Sequence, residues 1–279
     1  MSPQPLFRAA CNGIVILVST LIHVPPLLLL ACFKLILPGK SVQRGLTRIL
    51  MRLAESWVAV NSWLMRNSTS TQFEIDSPTD LQPDGWYMVI SNHQSWVDIP
   101  VLQMVFNRHI PMLKFFLKQQ LIWVPLLGLA WWALDFPFMQ RKGGPSARAD
   151  LEAGREACEK FRLLPTSVMS FAEGTRFTAA KHADQQSPYQ HLLQPKSGGL
   201  GMALSTIGEL FTGLVDVTLV YPNGTPSFVD AMSGRLGDVV VVVRQQPIPP
   251  DLFKNGARQR AQLQSWLDGV WQSKDALIA

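Results

Sequence analysis

Two short polar segments carry most of the reactive side chains in this sequence. The first, residues 91–98, reads SNHQSWVD and places His93 five residues before Asp98. A carboxylate that accepts one ring N–H of a histidine fixes the tautomer and leaves the other ring nitrogen free to take a proton. Such a pair would act as a general base toward a substrate hydroxyl, and the reaction would need no serine or cysteine nucleophile.

The same segment also has a purely structural interpretation. Ser95 and Asp98 have the spacing of a capping box at the start of a helix, in which Asp98 would only satisfy backbone N–H groups. His93, taken alone, would more often be a satisfied buried histidine. The two interpretations are compatible, and the sequence leaves both open.

The second polar segment, residues 171–176, reads FAEGTR. Gly174 permits a tight turn, and backbone N–H groups at such a turn can receive an anion. Arg176 offers a planar fork that suits a phosphate, and Glu173 would accept from a glycerol hydroxyl or brace the arginine. The pattern is short, however, and taken alone a strand-to-loop turn with a surface ion pair explains it better.

Alternating strands and helices are predicted to position these two segments. Short apolar runs predict strands at Trp86–Ser91, Ser167–Ala172, Leu214–Tyr221 and Asp238–Arg244. Helical patterns cover Trp96–Phe106, Ala147–Phe161 and Leu200–Phe211, and a last amphipathic helix carries Leu263, Trp266, Leu267, Val270 and Trp271. This order predicts an α/β fold with a central mixed or largely parallel sheet flanked by helices.

Two stretches of the catalytic region have a special composition. Lys181–Gln190 is rich in Gln, His and Asp and is predicted to be an exposed, mobile loop. Leu121–Leu134 is apolar and rich in tryptophan, but it is too short to span a membrane as a helix. We expect a core helix there, with insertion into the membrane interface as the alternative.

The N-terminal region is the least soluble in character. Residues 13–33 carry no formal charge, and about 20 apolar residues suffice to span a bilayer. The run is too long for a signal peptide, and no small-residue cleavage site follows it. Pro25 and Pro26 leave two membrane alternatives open: a kinked single span, or two half-length helices that dip into one leaflet. A buried helix of a soluble protein is a third alternative.

A basic stripe follows this apolar run. Lys40, Arg44, Arg48 and Arg52 recur at every fourth residue and would share one side of a helix. A basic amphipathic helix beside a hydrophobic segment indicates a cytoplasmic membrane surface, although a solvated charged face is the plainer alternative. These features indicate a catalytic domain on the cytoplasmic side of a membrane, and we expect that membrane to be the bacterial inner membrane.

Composition agrees with a lipid-facing protein. Of 279 residues, 47% are hydrophobic and 16% charged, against about 25% charged in a typical soluble domain. The net charge of +5 indicates an anionic partner, for which lipid head groups serve as well as nucleic acid. Three widely spaced cysteines give neither a disulfide framework nor zinc spacing. We divide the chain into a membrane-anchoring part, residues 1–70, and a catalytic domain, residues 71–279.

Together the two polar segments are far more specific than either alone. The pattern NHxSxxD, followed about 75 residues later by a strand and EGTR, resembles the lysophosphatidic acid acyltransferase (PlsC-type) family of glycerolipid acyltransferases. The likeness extends from about residue 86 to about residue 222. It includes Lys118-x6-Pro125-x2-Gly128 with FPFMQR at 136–141, PKSGG at 195–199 and VTLVYP at 217–222. The variants FAEGTRFT, PKSGG and VTLVYP are most similar to the lysocardiolipin-type branch.

The resemblance implies an acyl transfer. His93 would remove the proton from the free sn-2 hydroxyl of a lysophospholipid, in the first place 1-acylglycerol-3-phosphate, as that oxygen attacks an acyl thioester. Asp98 would stabilise the imidazolium. The substrate-binding set would comprise Glu173, Gly174, Thr175 and Arg176 of the EGTR segment, together with Arg141 and Lys196. Arg176, Arg141 and Lys196 would hold the lipid phosphate, and a backbone N–H near the turn, with Gly174 as the candidate, would hold the oxyanion.

The implied partners are the lysophospholipid acceptor, acyl-CoA or acyl carrier protein as donor, and membrane lipids, without nucleic acid. The mechanism calls for no metal and no redox cofactor. The sequence departs from the family pattern in its second block, where a usual glycine is missing and Trp131, Trp132 and Leu134 lie nearby, and at Phe177, which replaces a common serine. These departures leave acyl-chain and head-group preference open, including lysophosphatidylglycerol and lysocardiolipin. A lipid hydrolase and a non-catalytic membrane adaptor remain as other classes.

Overall fold

The computed structural model describes residues 3–78, 80–139, 146–254 and 256–278. The helices are α1 (Pro3–Ile36), α2 (Lys40–Ser68), α3 (Asp98–Phe106), α4 (Leu127–Ala133), α5 (Ser146–Lys160), α6 (Ala179–Gln185), α7 (Gly198–Ile207), α8 (Phe228–Met232) and α9 (Ala257–Ile278). The strands are β1 (Phe73–Asp76), β2 (Tyr87–Ser91), β3 (Leu113–Phe115), β4 (Leu117–Lys118), β5 (Phe138–Met139), β6 (Ser167–Phe171), β7 (Gly213–Val220) and β8 (Val239–Gln246).

A six-stranded mixed sheet with the order β1-β8-β7-β2-β6-β3 forms the centre. β2 is parallel to both of its neighbours, with Ser91 opposite Phe171 of β6 and Val217 of β7. The pair β7–β8 is antiparallel, and β4 and β5 form a separate small sheet. The α/β prediction is confirmed, and the parallel pairing brings the carboxyl ends of β2, β6 and β7 to one edge.

Both faces of the sheet are buried. Tyr87 and Val89 point into a core shared with α1 to α4, whereas Met88 and Ile90 point into a core shared with α5, α7 and α9. A strand buried on both faces has a continuous apolar sequence instead of an alternating one. This is the physical reason why the run at 86–91 could be assigned as a strand from sequence.

α1 passes through Pro25 and Pro26 as one helix, so the alternative of two half-length helices is wrong. Proline bends a helix more often than it ends one when both sides stay packed. Here Val24, Leu27 and Ala31 are all buried in the core, on either side of the prolines. α1 is also long and apolar enough to cross a membrane, by length and composition.

α1 and α2 form an antiparallel pair that packs on the catalytic region. Lys34 Nζ lies 2.6 Å from Asp135 Oδ2, and Asn12 Nδ2 donates to the backbone oxygen of Met232. The outward side chains of α1, such as Phe7 and Ile36, are exposed and apolar. The boundary predicted at residue 70 falls between α2 and β1, and the division into two domains stays a prediction.

The tryptophan-rich stretch is only partly a core helix. It begins within the 3-10 helix Gln119–Trp123 and continues through α4. Ala130 and Ala133 are buried, whereas Trp123 is 85% exposed and Trp132 is 48% exposed. The stretch therefore packs through its small residues and leaves two tryptophans outside.

The loop predicted at Lys181–Gln190 is wrong for its first half, because α6 covers residues 179–185. Thr178 caps this helix by accepting a hydrogen bond from the Lys181 N–H, and Gln186 ends it in the left-handed conformation. α6 has no buried residue, so it shows no apolar stripe that a sequence pattern could reveal. The segment is exposed or half-buried, and its predicted mobility stays a prediction.

Candidate active site

The loop after β2 is fastened to β7 by a buried asparagine. Asn92 Nδ2 donates to the backbone oxygen of Leu219, and Asn92 Oδ1 accepts from the Leu219 N–H, both at 2.8 Å. Gln94 Nε2 donates to the same oxygen at 3.1 Å. These bonds continue the pairing of β2 with β7 beyond the last residue of β2. They therefore hold His93 between two anchored neighbours.

His93 and Asp98 form a hydrogen-bonded pair. His93 Nδ1 lies 2.8 Å from Asp98 Oδ2, and the Asp98 side chain is fully buried. An ionised carboxylate oxygen only accepts, so we assign the ring hydrogen to Nδ1 and the basic lone pair to Nε2. In the part of the chain that the structure describes, Nε2 has no hydrogen-bond partner. The arrangement suits a general base whose Nε2 faces a substrate.

Asp98 also organises the turn that carries the histidine. Its Oδ2 accepts from the Gln94 N–H at 2.6 Å and from the Ser95 N–H at 2.9 Å. α3 begins at Asp98 itself, and Ser95 Oγ donates to the backbone oxygen of Pro226. The capping box is therefore present only in part. A single carboxylate both holds the turn and orients the ring.

Tyr221 is a partner of Asp98 that sequence reasoning missed. Its hydroxyl donates to Asp98 Oδ1 at 2.6 Å. Burial, and after it the charge of Asp98, raises the pKa of Tyr221, so the phenol stays a donor at neutral pH. The strand–proline pattern ending at Pro222 is the available signal, because Tyr221 is the last residue of a strand predicted to lie in the same sheet. The pattern does not reveal which carboxylate it meets.

The two polar segments meet at the histidine ring. Phe171, the last residue of β6, stacks on His93 with ring centroids 3.9 Å apart and an angle of 13° between the planes. The Phe177 N–H then donates to the backbone oxygen of His93 at 2.7 Å. The stack and this hydrogen bond fix the ring from the side opposite to β7.

Glu173 does not lie where sequence reasoning put it. The residue is fully buried, and neither carboxylate oxygen has a hydrogen-bond partner among the described residues. Burial raises the pKa of Glu173 to about 9, against the weaker opposing effects of the His93 backbone and the Lys274 charge. Glu173 is therefore mainly a neutral acid at pH 7. Among the described residues it forms no ion pair with Arg176, so neither the brace nor the surface ion pair is present. Its predicted contact with a substrate hydroxyl stays a prediction.

Gly174 has the backbone conformation that its sequence predicts, but its N–H is not free. Its φ of +71° lies in the left-handed region that favours glycine. The Gly174 N–H donates to the backbone oxygen of Phe171 at 2.9 Å. It is therefore not available to hold an oxyanion in this conformation. The N–H groups of Thr175 and Arg176 have no acceptor among the described residues.

Among the described residues, three cations surround the turn after β6. Arg176 is exposed and lies over the Trp96 ring, 4.6 Å from its centroid. Lys181 Nζ donates to Thr175 Oγ1 at 2.7 Å and to the backbone oxygen of Arg176 at 3.0 Å. The side chain of Lys196 passes over Gly174, within 4 Å of the position that a Cβ would take there. Lys181 is the member that sequence reasoning missed, because its segment was predicted to be a loop.

Arg141, the remaining predicted phosphate ligand, lies outside the described residues. The second sequence block is described up to residue 139, and there Phe138 and Met139 form β5, paired with β4. The role predicted for Arg141 stays a prediction.

A buried lysine ties the last helix to the strand behind the site. Lys274 of α9 is fully buried, and its Nζ lies 2.6 Å from Asp216 Oδ1. The same Nζ donates to the backbone oxygen of Val217 and to Thr218 Oγ1. Burial lowers the pKa of Lys274, and the charge of Asp216 opposes that shift. The amphipathic C-terminal helix therefore supports β7 directly beneath the residues that hold His93.

The geometry suits acyl transfer: among the described residues, a general base lies beside a cationic turn, and no serine or cysteine is bonded to it. The acyltransferase family model matches residues 72–224, more than half of the chain and every described residue of the site except Lys274. This chain belongs to the acyltransferase family.

Curated relatives agree with this membership. The chain is 28% identical over 176 residues to the 1-acyl-sn-glycerol-3-phosphate acyltransferase gamma of Mus musculus, and 26% identical over 178 residues to the delta form of Homo sapiens. These matches cover 59% and 58% of this chain but only 44% of each relative. The predicted membership of the lysophosphatidic acid acyltransferase family is confirmed. The nearer likeness to the lysocardiolipin-type branch stays a prediction.

A solved structure shows the same fold. The crystal structure of the 1-acyl-sn-glycerophosphate (LPA) acyltransferase PlsC from Thermotoga maritima has a TM-score of 0.51 and 18% sequence identity, and the match covers 96% of this chain and 98% of that one. At this identity the likeness supports the fold, including the N-terminal helices, and the chemistry rests on the residues of this chain.

Proposed function

We propose that this protein transfers a fatty acyl group from a thioester to the free sn-2 hydroxyl of 1-acylglycerol-3-phosphate and so forms phosphatidic acid. The observation that carries the proposal is the His93–Asp98 pair, with its Nε2 free of any partner among the described residues. Family membership supports the reaction class, and the names of the relatives support the acceptor. The donor is acyl-CoA or acyl carrier protein.

The nearby hydroxyl groups support a substrate nucleophile. Ser91 Oγ donates to the backbone oxygen of Asn92, and Ser95 Oγ donates to that of Pro226. Neither serine offers its hydroxyl to His93. Cys158 lies in the core on the face of the sheet shared with α5, and burial raises its pKa. The hydroxyl that His93 deprotonates therefore belongs to the acceptor lipid.

The transfer follows from these positions. As the acceptor oxygen attacks the thioester carbonyl carbon, its proton passes to His93 Nε2 and a C–O bond forms. The C–S bond then breaks, and the leaving thiolate takes the proton from the imidazolium. Asp98 stabilises that imidazolium. The unpaired N–H groups of Thr175 and Arg176 are the proposed oxyanion donors, in place of Gly174.

The cations around the turn after β6 support a phosphate-bearing acceptor. A phosphomonoester carries up to two negative charges, and Arg176, Lys181 and Lys196 supply three positive ones. The guanidinium of Arg176 can donate two parallel hydrogen bonds to phosphate oxygens. Trp96 beneath it restricts the orientation of the fork. In this proposal Lys181 and Lys196 complete the phosphate site.

We also propose attachment to the cytoplasmic face of the bacterial inner membrane through the outer face of α1. Asn12 and Lys34 both contact the catalytic region, although they lie about 33 Å apart along the helix. A helix docked over that length and standing upright in a bilayer would draw the catalytic region in with it. A helix lying in the interface, with its exposed apolar side toward the lipid, avoids this cost.

The test is a turnover assay of the purified full chain. Acyl-CoA and acyl carrier protein donors are each combined with lysophosphatidic acid, lysophosphatidylglycerol or lysocardiolipin, and products are measured by mass spectrometry. We expect the highest kcat/KM with lysophosphatidic acid. A better alternative acceptor would refute the acceptor but not the reaction class.

Two further results would change the class itself. Fatty acid release at an unchanged rate without acceptor would make the protein a hydrolase. If the protein is folded and membrane-bound but turns over none of the donor–acceptor pairs, it is a non-catalytic adaptor.

A further inference from the structure

A second charged region lies at the other end of the sheet. A cleft of about 1020 Å³ opens between the turn that joins α1 to α2, the first half of α2, and the chain that follows α5. Lys114 of β3 and Thr166, directly before β6, line its floor. Thr166 precedes β6, whose carboxyl end carries part of the candidate active site, and Lys114 is paired with Val168 near the amino end of that strand. His93 and the cations around the turn after β6 do not line the cleft.

Part of the charge in this cleft is neutralised internally. Lys34 and Lys160 both lie within 4 Å of Asp135, at 2.6 and 3.9 Å. Arg162 is paired with Glu159 at 2.7 Å. These three cations and two carboxylates form the rim near α5 and need no external partner.

The remaining charge is not neutralised. Two more carboxylates line the cleft, and burial raises the pKa of one of them, Glu55, despite the nearby Arg108 and Arg52. The other is Asp84. Against them stand five cations that have no ion pair among the described residues: Lys40, Arg44, Arg48, Arg52 and Lys114.

Lys114 is the least expected member of this group. Only 4% of it is exposed, and among the described residues it has no hydrogen bond and no ion pair. Its Nζ lies 4.7 Å from the centroid of the Phe161 ring. Burial lowers the pKa of Lys114 to about 8; the charge of Asp135 opposes that shift, and the charges of Lys34 and Lys160 add to it. A buried cation without a counter-ion is costly, and an anion bound in the cleft would remove that cost.

An exposed apolar surface adjoins the cleft. We call it the hairpin tip, formed by Phe33, Leu35, Ile36, Leu37 and Val42, which are all more than 40% exposed. Leu35 lines the cleft as well. A free phosphate or nucleotide would not cover such a surface, whereas a phospholipid presents its head group and its acyl chains side by side.

We propose that this cleft binds the phosphate head group of an anionic phospholipid, with the acyl chains against the hairpin tip, at a site separate from the reaction centre. Lys114 contacts the phosphate from the floor, and Arg44 and Arg48 contact it from α2. The site holds the hairpin end of the protein on anionic bilayers. It does not rest on the proposed reaction, because no residue of the cleft takes part in it.

The experiment measures binding of the full chain to vesicles by co-sedimentation. One set is phosphatidylcholine alone, and the other is equal parts of phosphatidylcholine and phosphatidylglycerol. Lys114→Met keeps the length of the side chain and removes the buried charge, so we expect a folded protein. A basic residue at a membrane surface contributes about 1 kcal/mol to binding. The binding of Lys114→Met to the phosphatidylglycerol vesicles should therefore fall about fivefold, and the binding of Arg44→Gln/Arg48→Gln should fall about 25-fold. Neither change should alter binding to phosphatidylcholine.

The matched control is Arg258→Gln/Arg260→Gln, which removes two exposed charges from α9. We expect less than a twofold change. Lys114→Arg, which keeps the charge, should keep the binding. Turnover of a short-chain, water-soluble acceptor should be unchanged in Lys114→Met, and this separates the outcome from any failure of the proposed reaction.

Three outcomes would overturn the proposal. In the first, Lys114→Met binds vesicles as strongly as the wild type does. The basic residues of α2 would then act only as general surface charge. The second concerns coenzyme A. If coenzyme A raises the melting temperature of the wild type but not of Lys114→Met, and vesicle binding is the same in both, the cleft binds a nucleotide. The third is the same pattern with inorganic phosphate, which would indicate a free-anion site. If Lys114→Met does not fold, Arg44→Gln/Arg48→Gln against its control decides the question.

Discussion

At the carboxyl end of β2 the carboxylate of Asp98 accepts four hydrogen bonds, from His93, Gln94, Ser95 and Tyr221. Near the amino end of β6, the ammonium group of Lys114 on the neighbouring β3 donates no hydrogen bond to any described residue. Both groups are buried and both sit at an end of the same sheet. They differ in whether the protein itself supplies hydrogen-bond partners for the charged group.

This difference separates two uses of a buried charge. Asp98 is fully satisfied, so its position is fixed before any substrate arrives, as a group that orients a base must be. Lys114 is unsatisfied, so its charge remains available to a ligand. In this molecule the fully bonded charge of Asp98 orients the base, and the unbonded charge of Lys114 is left for a ligand. The following changes test this comparison, beginning with the largest expected effect.

His93→Ala should lower turnover by about two to four orders of magnitude, the usual contribution of a positioned general base. The assay is acyl transfer per folded molecule, with folding verified by circular dichroism. His109→Ala, which removes an exposed histidine elsewhere, is the control and should have no effect. Near-normal turnover in folded His93→Ala would refute the mechanism.

Asp98→Asn should reduce turnover by roughly two to four orders of magnitude as well, because an amide cannot stabilise the imidazolium and permits the wrong ring tautomer. It should also lower stability, since an amide oxygen replaces a carboxylate that accepts two backbone N–H bonds. Melting temperature and turnover are measured on the same sample. If stability falls while activity per folded molecule holds, Asp98 only shapes the turn.

Arg176→Lys keeps the charge but loses the planar fork, so the apparent KM for the lysophospholipid should rise. A charge-assisted hydrogen bond typically contributes about 1.5–3 kcal/mol, so we expect a rise of roughly 10- to 100-fold. Arg176→Ala should be worse, and Arg258→Lys is the control. A rise confined to the KM for acyl-CoA would move Arg176 to the donor site.

Tyr221→Phe removes one of the four bonds to Asp98 and leaves the ring packing intact. We expect turnover to fall about tenfold, in line with the loss of one hydrogen bond to a charged group. The pH at which kcat/KM reaches half its maximum should shift as well, because Asp98 would hold the His93 imidazolium differently. An unchanged pH profile with lower stability would make Tyr221 a purely structural residue.

Glu173→Gln should have the smallest effect on turnover, because glutamine resembles a neutral acid. Its effect on stability should depend on pH. A buried acid whose pKa is raised to about 9 stays protonated while the unfolded chain ionises, so wild-type stability declines as pH rises from about 4.5 to about 9. The variant should not show this decline, and its advantage at pH 8 should be at least about 1.4 kcal/mol. Equal pH profiles would show that Glu173 is ionised in the folded protein, and a raised acceptor KM would show that it contacts the acceptor.

Periodicity and composition were sufficient to predict the positions of the central strands. β2, β6 and β7 lie within one residue of their predicted bounds, because strands buried on both faces are continuously apolar. β1 and β3 were not predicted: β1 is mostly exposed and β3 has only three residues, including the polar Lys114. α6 was missed for the same kind of reason, since an exposed helix has no apolar stripe.

By itself the sequence determined which groups can do chemistry and where they lie relative to the strands. A histidine and an aspartate five residues apart after a buried strand can meet through local geometry, and a glycine before an arginine makes a turn. These are short-range consequences of residue type. They made the His93–Asp98 pair and the turn at Gly174 predictable.

The tertiary structure decided how each of these groups is surrounded. The burial of Glu173, the bond from Tyr221 to Asp98 and the isolation of Lys114 all depend on strand order and on helices far away in sequence. Tyr221 is 123 residues from Asp98. The sequence pattern shows whether a position is apolar. It does not show which distant polar group, if any, forms a hydrogen bond with the residue at that position. These distant neighbours decide the burial that raises the pKa of Glu173, the orientation of His93 and the unpaired charge of Lys114.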